Sequence, residues 1–567
     1  MKESLMTRLH LFKLIRSRAL LLALLILSIC TLSIAERRER LIDGWQPLHY
    51  EISLTFNEQL SEISTAQAVI TVRVLKDAVN EIDFDFGEMP VDSVRVESLP
   101  VRFERRDGKL LVKLRQVAKK DERVRVSVTY HGQPKDGLIL MADKDGTPSA
   151  TGDNWPDRVH HWIPTLDHPS AKATVRFTVN APARDVVVAN GRLESTRSDS
   201  NKTRTWVWNE SVPISPYCMI IAVGNFARLE PKRQIIAPLS YYVPQSDRRF
   251  AMQGFAPSAP SLKYFSETIG PYPYEKLAMI VGATRYGGME NSSAIVFGSN
   301  LFKDFETKEP RSRRYDIPAS VRSVVAHEIA HQWFGDSVTE ATWADLWLSE
   351  GFATYFEALF IERYEGKTAF REDMRTSAEQ YFAYAKEHRT PIHDRDTEDL
   401  NKLLNANNYQ KGAWVLHMLR GLVGERDFFQ GLRDYYRTHR NATATTEDLR
   451  AAMEKASRMN LKDFFTRWVY QSGHPRYEVT WRWLPTNPAV RTEPVGYVEL
   501  KIRQVQEDEA FLMPLTLEMV IANRALRMTI LPTGKETTTR IPAPSRPTAL
   551  TLDPDEMVLK ELSVRQE

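Results

Sequence analysis

The sequence predicts a multidomain fold: an N-terminal antiparallel β-sandwich or saddle, a central α-rich (α+β) domain and a small C-terminal β-sandwich. Three observations predict it. At 567 residues the chain is too long for one core, and about two to four domains is the ordinary outcome at this length. Apolar and polar residues alternate from about 46 to 235 and again after Tyr477. Between those regions, from about 256 to 475, apolar residues recur at helical spacing. The expected division is a leader at 1–35, a β domain at 46–240, a central domain at 241–475 and a β-sandwich at 476–567.

The leader stands apart in composition. Lys2, Arg8, Lys13, Arg16 and Arg18 precede an uncharged, Leu-rich run from Ala19 to Ala35 that ends Ser33-Ile34-Ala35. A basic segment, an apolar run and a small-x-small end read as a secretory signal peptide, so the protein is expected to be exported, to a periplasm or beyond the cell. The alternative is an uncleaved anchor, with membrane contact only through residues 19–35. These residues hold five basic groups and one acidic group, so without them the net charge falls from +3 to −1. The basicity belongs to the leader, and no nucleic-acid surface is expected. Hydrophobic content of 42% and charged content of 26% suit a folded globular chain and exclude disorder. Only Cys30 and Cys218 exist. A chain that has shed Cys30 has no internal disulfide, and Cys218, in the apolar run PYCMIIAVG, reads as a small buried residue.

In the first β region Tyr50, Ile52, Leu54 and Phe56 alternate with polar residues, as do Ile70, Val72 and Val74, and then Ile82, Phe84 and Phe86. The central region opens its helical pattern at Ser320, which suits an N-cap, and carries it to Phe334, with Gly335 as the stop. Further helices are expected over Glu350–Phe360 and at about 367–387, 408–422, 426–438 and 446–456, with Pro475 closing the region. The segments YEVTWRW, YVELKIRQV and LTLEMVI then read as strands, with Pro-rich connections at 485–488 and 541–547.

The candidate chemistry lies on the first of those helices. Residues His327 to His331 read HEIAH, and Glu350 follows after eighteen further residues. Residues four apart share one helix face, so His327 and His331 reach one ion. Two imidazoles and the Glu350 carboxylate make a three-ligand set for one Zn2+ with a fourth position open to water. Glu328 points off the two-histidine axis and suits a general base. Asp336, Asp345 and Glu357 are candidates for the outer-shell partner that a ligating histidine needs.

The stretches HEIAHQWFGD and WADLWLSEGFATYFE closely resemble the aminopeptidase N family of gluzincin zinc metallopeptidases, which also contains leukotriene hydrolase. YGGMEN (Tyr286 to Asn291) resembles the family's exopeptidase motif, YQKGA (Tyr409 to Ala413) its catalytic-tyrosine motif and DFFTRWVYQSGHP (Asp463 to Pro475) the end of its catalytic domain. The resemblance spans roughly 46 to 567. It implies a thermolysin-like central domain and zinc-dependent removal of N-terminal residues from peptides with a free N-terminus. It also implies that Glu290 binds the substrate's α-amine, that Gly287, Gly288, Met289 and Asn291 line the substrate's backbone, and that Tyr409 stabilises the oxyanion. Lys411 reads as structural.

Two departures from the pattern stand out. Where many relatives place a second polar contact to the amine, this chain has Trp155, with Asp153 and Asn154 beside it; His160 and His161 nearby read as domain-interface residues. The chain resembles the shorter members, without the helical C-terminal domain of larger relatives, which implies a more open cleft. Rival readings are an endopeptidase or an epoxide hydrolase on the same zinc site, and an inactive binding protein on the same fold.

Overall fold

The computed structural model describes residues 36–199, 202–486 and 494–567. The expected signal or anchor at 1–35 lies outside the described residues. Among the described residues no helix is long and apolar enough to cross a membrane. Residues 36–38 group with Arg395–Glu398 as a small unit, in which the Arg37 N–H donates to the Arg395 carbonyl at 2.8 Å. Glu39–Asp394 and Asp399–Glu567 form the other compact unit.

The period-two runs at the start do form strands. Trp45–Phe56 lies in the middle of an eight-stranded sheet, antiparallel to Ile63–Val74 and parallel to Ala173–Pro182. Tyr50, Ile52, Leu54 and Phe56 are all buried, because alternate residues of a strand share a face. Burying each such side chain is worth about 1.5–3 kcal/mol. Ile82, Phe84 and Phe86 are likewise buried, on and just after the strand Val79–Asp85 of a separate three-stranded sheet.

A five-stranded sheet carries the chain into its central region. It runs in the order Ala227–Leu229, Leu239–Val243, Leu277–Gly282, Ala294–Gly298, Gly288–Met289. Residue 240 falls inside this sheet, since Leu239–Val243 pairs in parallel with the strand that starts at Leu277. The short strand Gly288–Met289 forms its edge, antiparallel to Ala294–Gly298.

Helices follow: Ala319–His331, Trp347–Glu365, Lys367–Ala385, Gly412–Val423, Glu425–His439 and Thr446–Ser457. The first two pack against each other, and Phe334, between them in sequence, lies on Phe352 and Phe356 of the second, with ring centroids 4.2 Å apart for Phe334–Phe352 and 5.5 Å for Phe334–Phe356. Three expected boundaries move. Pro318, extended at φ −52° and ψ 136°, starts the first helix at Ala319, so Ser320 sits in its first turn and makes no cap. That helix ends at His331, four residues before Gly335, whose φ of +118° fits a turn that glycine favours. The Glu350 helix begins at Trp347 and runs to Glu365, longer at both ends than its apolar pattern suggested.

The last β region forms a four-stranded and a three-stranded sheet, including Arg476–Pro485, Gly496–Gln504 and Leu515–Ile521. The expected connection at 541–547 begins inside the strand Glu536–Ala543. That strand lies at a sheet edge, where proline is tolerated.

Candidate active site

The helix Ala319–His331 ends on the two histidines, which its 3.6-residue period stacks on one face. Their Nε2 atoms lie 3.1 Å apart. Glu350 Oε2, from the first turn of the helix Trp347–Glu365, lies 3.4 Å from His327 Nε2 and 3.3 Å from His331 Nε2. Three donor atoms held about 2.0–2.1 Å from a tetrahedral zinc lie about 3.3 Å from one another, which is the triangle observed. Glu350 Oε2 is buried and accepts no hydrogen bond from the protein, so the site leaves a lone pair for a cation. These residues fit zinc. Burial works to raise the Glu350 carboxyl, but the imidazoles of His331 and His327 hold it ionised, at about 2.

The outer nitrogens are occupied. His331 Nδ1 donates to the Phe334 carbonyl at 3.2 Å and lies 3.1 Å from Ser349 Oγ. His327 Nδ1 lies 3.6 Å from Glu357 Oε2. Both contacts orient Nε2 toward the centre of the triangle, where a metal ion would sit. Of the three acids considered for this outer shell, only Glu357 meets a ligand through its side chain. Asp345 accepts from the N–H and hydroxyl of Thr446, and the Asp336 carboxylate accepts from Gln332.

Glu328 stands beside the triangle rather than in it. It is buried, and its Oε2 has no protein partner. From the protein's own groups, burial raises it to about 8 against the opposing pull of His327 and His331. The edge strand Gly288–Met289 runs directly past it, and a Cβ on Gly288 would collide with the Glu328 carboxylate. A larger residue there would have to displace the Glu328 carboxylate.

Glu290 follows that edge strand. Its carboxylate and those of Glu328 and His331's imidazole offer atoms all within 4.8 Å of one another. A cavity of about 420 Å³ opens over these groups, lined by Gly287, Gly288, Met289, Glu290, His327, Glu328, His331, Glu350 and Tyr409, and by Trp155. Asn291, by contrast, is fully buried and its side chain turns back to donate to the Met289 carbonyl at 3.3 Å.

Tyr409 comes from a local irregularity. The expected helix over 408–422 is an α-helix only from Gly412; Asn407–Lys411 is a π-helical turn, with the Lys411 N–H donating to the Ala406 carbonyl at 2.9 Å. Such turns re-aim a side chain within a helix. Here the Tyr409 ring lies parallel to His327, with centroids 6.0 Å apart and planes at 9°. Burial, then the nearby Glu350 carboxylate, raises its phenol well above the ordinary value, which keeps the proton available for donation. Lys411 is fully buried, 5.7 Å from the Tyr381 ring centroid.

The Trp155 end of the cavity is aromatic. Trp155 packs edge-on against Tyr286 at 5.9 Å and Trp343 at 5.8 Å. Its neighbours are committed elsewhere: Asp153 accepts from Arg158 at 2.9 Å and Thr284 at 2.8 Å, and Asn154 accepts from Trp162 at 2.8 Å. The contacts of His160 and His161 fall within the first β region. His160 Nδ1 lies 2.8 Å from Asp167 Oδ2, and His161 packs against Gly87.

Sequence reasoning missed one pair. Gly351, next to Glu350, meets Gly412, which closes the π turn. A Cβ on Gly351 would lie 2.9 Å from the Gly412 Cα and 3.1 Å from the Asn408 carbonyl oxygen. The glycines let the two helices touch backbone to backbone, which brings Tyr409 to the Glu350 side of the site. The glycines are visible in the sequence, but nothing local there pairs them.

Comparison with known proteins agrees with this geometry. Residues 255–468 match the model of the peptidase family M1 domain and residues 46–218 that of the peptidase M1 N-terminal domain. The chain is 25% identical over 480 residues to probable aminopeptidase 1 of Sulfurisphaera tokodaii, covering 83% of this chain and 58% of that protein. It is 26% identical over 453 residues to leucyl aminopeptidase of Saccharolobus solfataricus, covering 76% of this chain and 54% of that one. With human glutamyl aminopeptidase it shares 28% identity over 358 residues, covering 62% and 36%. The chain thus spans about half the length, or less, of these curated relatives. In fold it is similar to the M1 zinc metallopeptidase of Deinococcus radiodurans, with a TM-score of 0.63, 24% identity and coverage of 77% of this chain and 96% of that one.

Proposed function

The chain belongs to peptidase family M1, and from that premise we propose that it is a zinc-dependent aminopeptidase, holding one zinc per chain and hydrolysing the first peptide bond of peptides with a free N-terminus. One observation carries the reading. An acidic side chain, Glu290, ends the edge strand and lies within 4.8 Å of the hydrolytic carboxylate Glu328 and of His331. A carboxylate at that point pairs with an ammonium through a charge-assisted contact and fixes how far the chain end stands from the reacting carbonyl. An internal segment has no amine to satisfy it.

The remaining roles follow from position. The edge formed by Gly287, Gly288 and Met289 receives the substrate backbone as an added strand. His327, His331 and Glu350 hold the zinc, which when bound acts as a Lewis acid on the carbonyl and makes water acidic near neutral pH. Glu328 takes a proton from the water as its oxygen attacks the carbonyl carbon. The carbonyl electrons move onto oxygen, and the Tyr409 hydroxyl donates to that oxyanion. When the oxyanion collapses, the C–N bond breaks and Glu328 passes its proton to the leaving nitrogen. We also propose that the chain is exported, on the composition of residues 1–35.

The test is a matched pair of amino-acid amide substrates, one with a free amine and one N-acetylated. The free form should be hydrolysed, the reaction should stop with a chelator and return with zinc, and the capped form should be refused. Comparable hydrolysis of both would favour the endopeptidase reading and overturn this one.

A further inference from the structure

The helix that ends at His331 is followed immediately by Gln332, a fully buried side chain. Its amide is held on both sides. Nε2 donates to the Glu290 backbone carbonyl at 2.6 Å and to Asp336 Oδ2 at 2.7 Å. Oε1 accepts from the Ser293 N–H at 2.8 Å and the Tyr272 hydroxyl at 3.2 Å. A primary amide offers two donors and two acceptor lone pairs; both donors and one lone pair are engaged here, and the second lone pair shares the Tyr272 proton with the Lys276 carbonyl, 2.9 Å from that hydroxyl. Because the Ser293 N–H can only donate, it identifies the amide oxygen.

Two of these four bonds end on one short segment, Glu290 to Ser293, and the side chain that makes them extends from the residue next to a zinc ligand. The segment is not free to relax elsewhere. Ser293 adopts a left-handed φ of +63°. Its hydroxyl donates to Glu210 at 2.9 Å and accepts from the Gly191 N–H at 2.7 Å. Asn190 donates to the Ser292 carbonyl at 2.6 Å and Lys276 to the Ser293 carbonyl at 2.6 Å. These contacts anchor the turn to the rest of the fold. The Gln332 hydrogen bonds join it to the end of the metal-binding helix, and one of them grips the backbone of Glu290 itself. Asp336 holds the other side: its N–H donates to the His331 carbonyl at 3.0 Å, while its carboxylate accepts from Gln332. The amide is thus locked between a ligand-bearing turn and the amine-binding residue.

We infer that Gln332 is a positioning residue that sets the distance between the metal-binding histidines and the Glu290 carboxylate, and so determines that the enzyme counts one residue from the chain end. The inference rests on the aminopeptidase reading and deepens it. Gln332 itself touches no substrate. Without its N–H donors the Glu290 carbonyl loses its tie to the helix, and the carboxylate is no longer held at one distance from the reacting carbonyl. A displacement of about 1 Å at such a site costs on the order of a hundredfold in rate.

The experiment uses the full-length, zinc-loaded enzyme and the variants Gln332→Met and Gln332→Glu. The first keeps the side-chain length and removes every hydrogen bond. The second keeps the volume and the acceptor for Ser293 but removes both donors to Glu290 and Asp336. For each, kcat and KM are measured per zinc-loaded chain on the free and the N-acetylated amide substrate. The expected result is unchanged zinc content and a fall in kcat/KM for the free substrate of about a hundredfold, carried mainly by a rise in KM, in both variants. A merely structural role would lower the active fraction, and with it the apparent kcat, while KM for the free substrate stays unchanged, and this outcome overturns the inference. If the wild-type enzyme already accepts the acetylated substrate, the aminopeptidase reading fails first and the inference with it.

Discussion

Replacing Glu328 with Gln should leave zinc bound and lower kcat by about 10²- to 10⁴-fold, the usual contribution of a positioned general acid–base. The ligand triangle is made by His327, His331 and Glu350, and Glu328 supplies none of its 3.1–3.4 Å edges. Gln has the same shape and fills the same gap against Gly288, so packing is preserved. What is lost is a basic oxygen, and with it both proton transfers, from the water to Glu328 and from Glu328 to the leaving nitrogen. Zinc content by elemental analysis should match the wild type while single-substrate kinetics show the loss. A variant with full zinc and near-normal kcat would remove Glu328 from the mechanism.

Replacing Tyr409 with Phe should lower kcat by about 100- to 1000-fold, with KM for a free-amine substrate nearly unchanged. The ring stays, parallel to His327 at 6.0 Å, and so does the π-helical turn Asn407–Lys411 that presents it. Only the hydroxyl goes, and it acts where negative charge develops, on the oxyanion rather than on the resting carbonyl. Glu290 and the edge strand still bind the substrate. A loss confined to KM would instead make Tyr409 a binding group, and no loss would exclude it from the reaction.

The parts of this site that a reader of the sequence sees are the parts that depend on local period. The i, i+4 spacing of His327 and His331 and the alternation of Tyr50, Ile52, Leu54 and Phe56 are properties of a single helix and a single strand, so they survive folding unchanged. Helix ends are less legible. Ser320 has the right chemistry for a cap, but the cap falls two residues earlier, at Pro318, and the π turn at Asn407–Lys411 leaves no mark in the apolar pattern. The least legible features are contacts between distant segments. Gly351 is an ordinary glycine until Gly412 is placed against it. Three acids were available to orient the histidines, and only packing selects Glu357 for His327. Gln332 shows nothing of its role in the local pattern, because its four partners come from three separate segments.

The claim on which the account depends is that Glu290 makes the zinc site count from a chain end. Its most direct test is the digestion of a peptide of about ten residues, followed in time by mass spectrometry. The account predicts successive products shortened by one residue at a time from the N-terminus, with the C-terminal sequence intact until late. Early fragments from internal cleavage would contradict it.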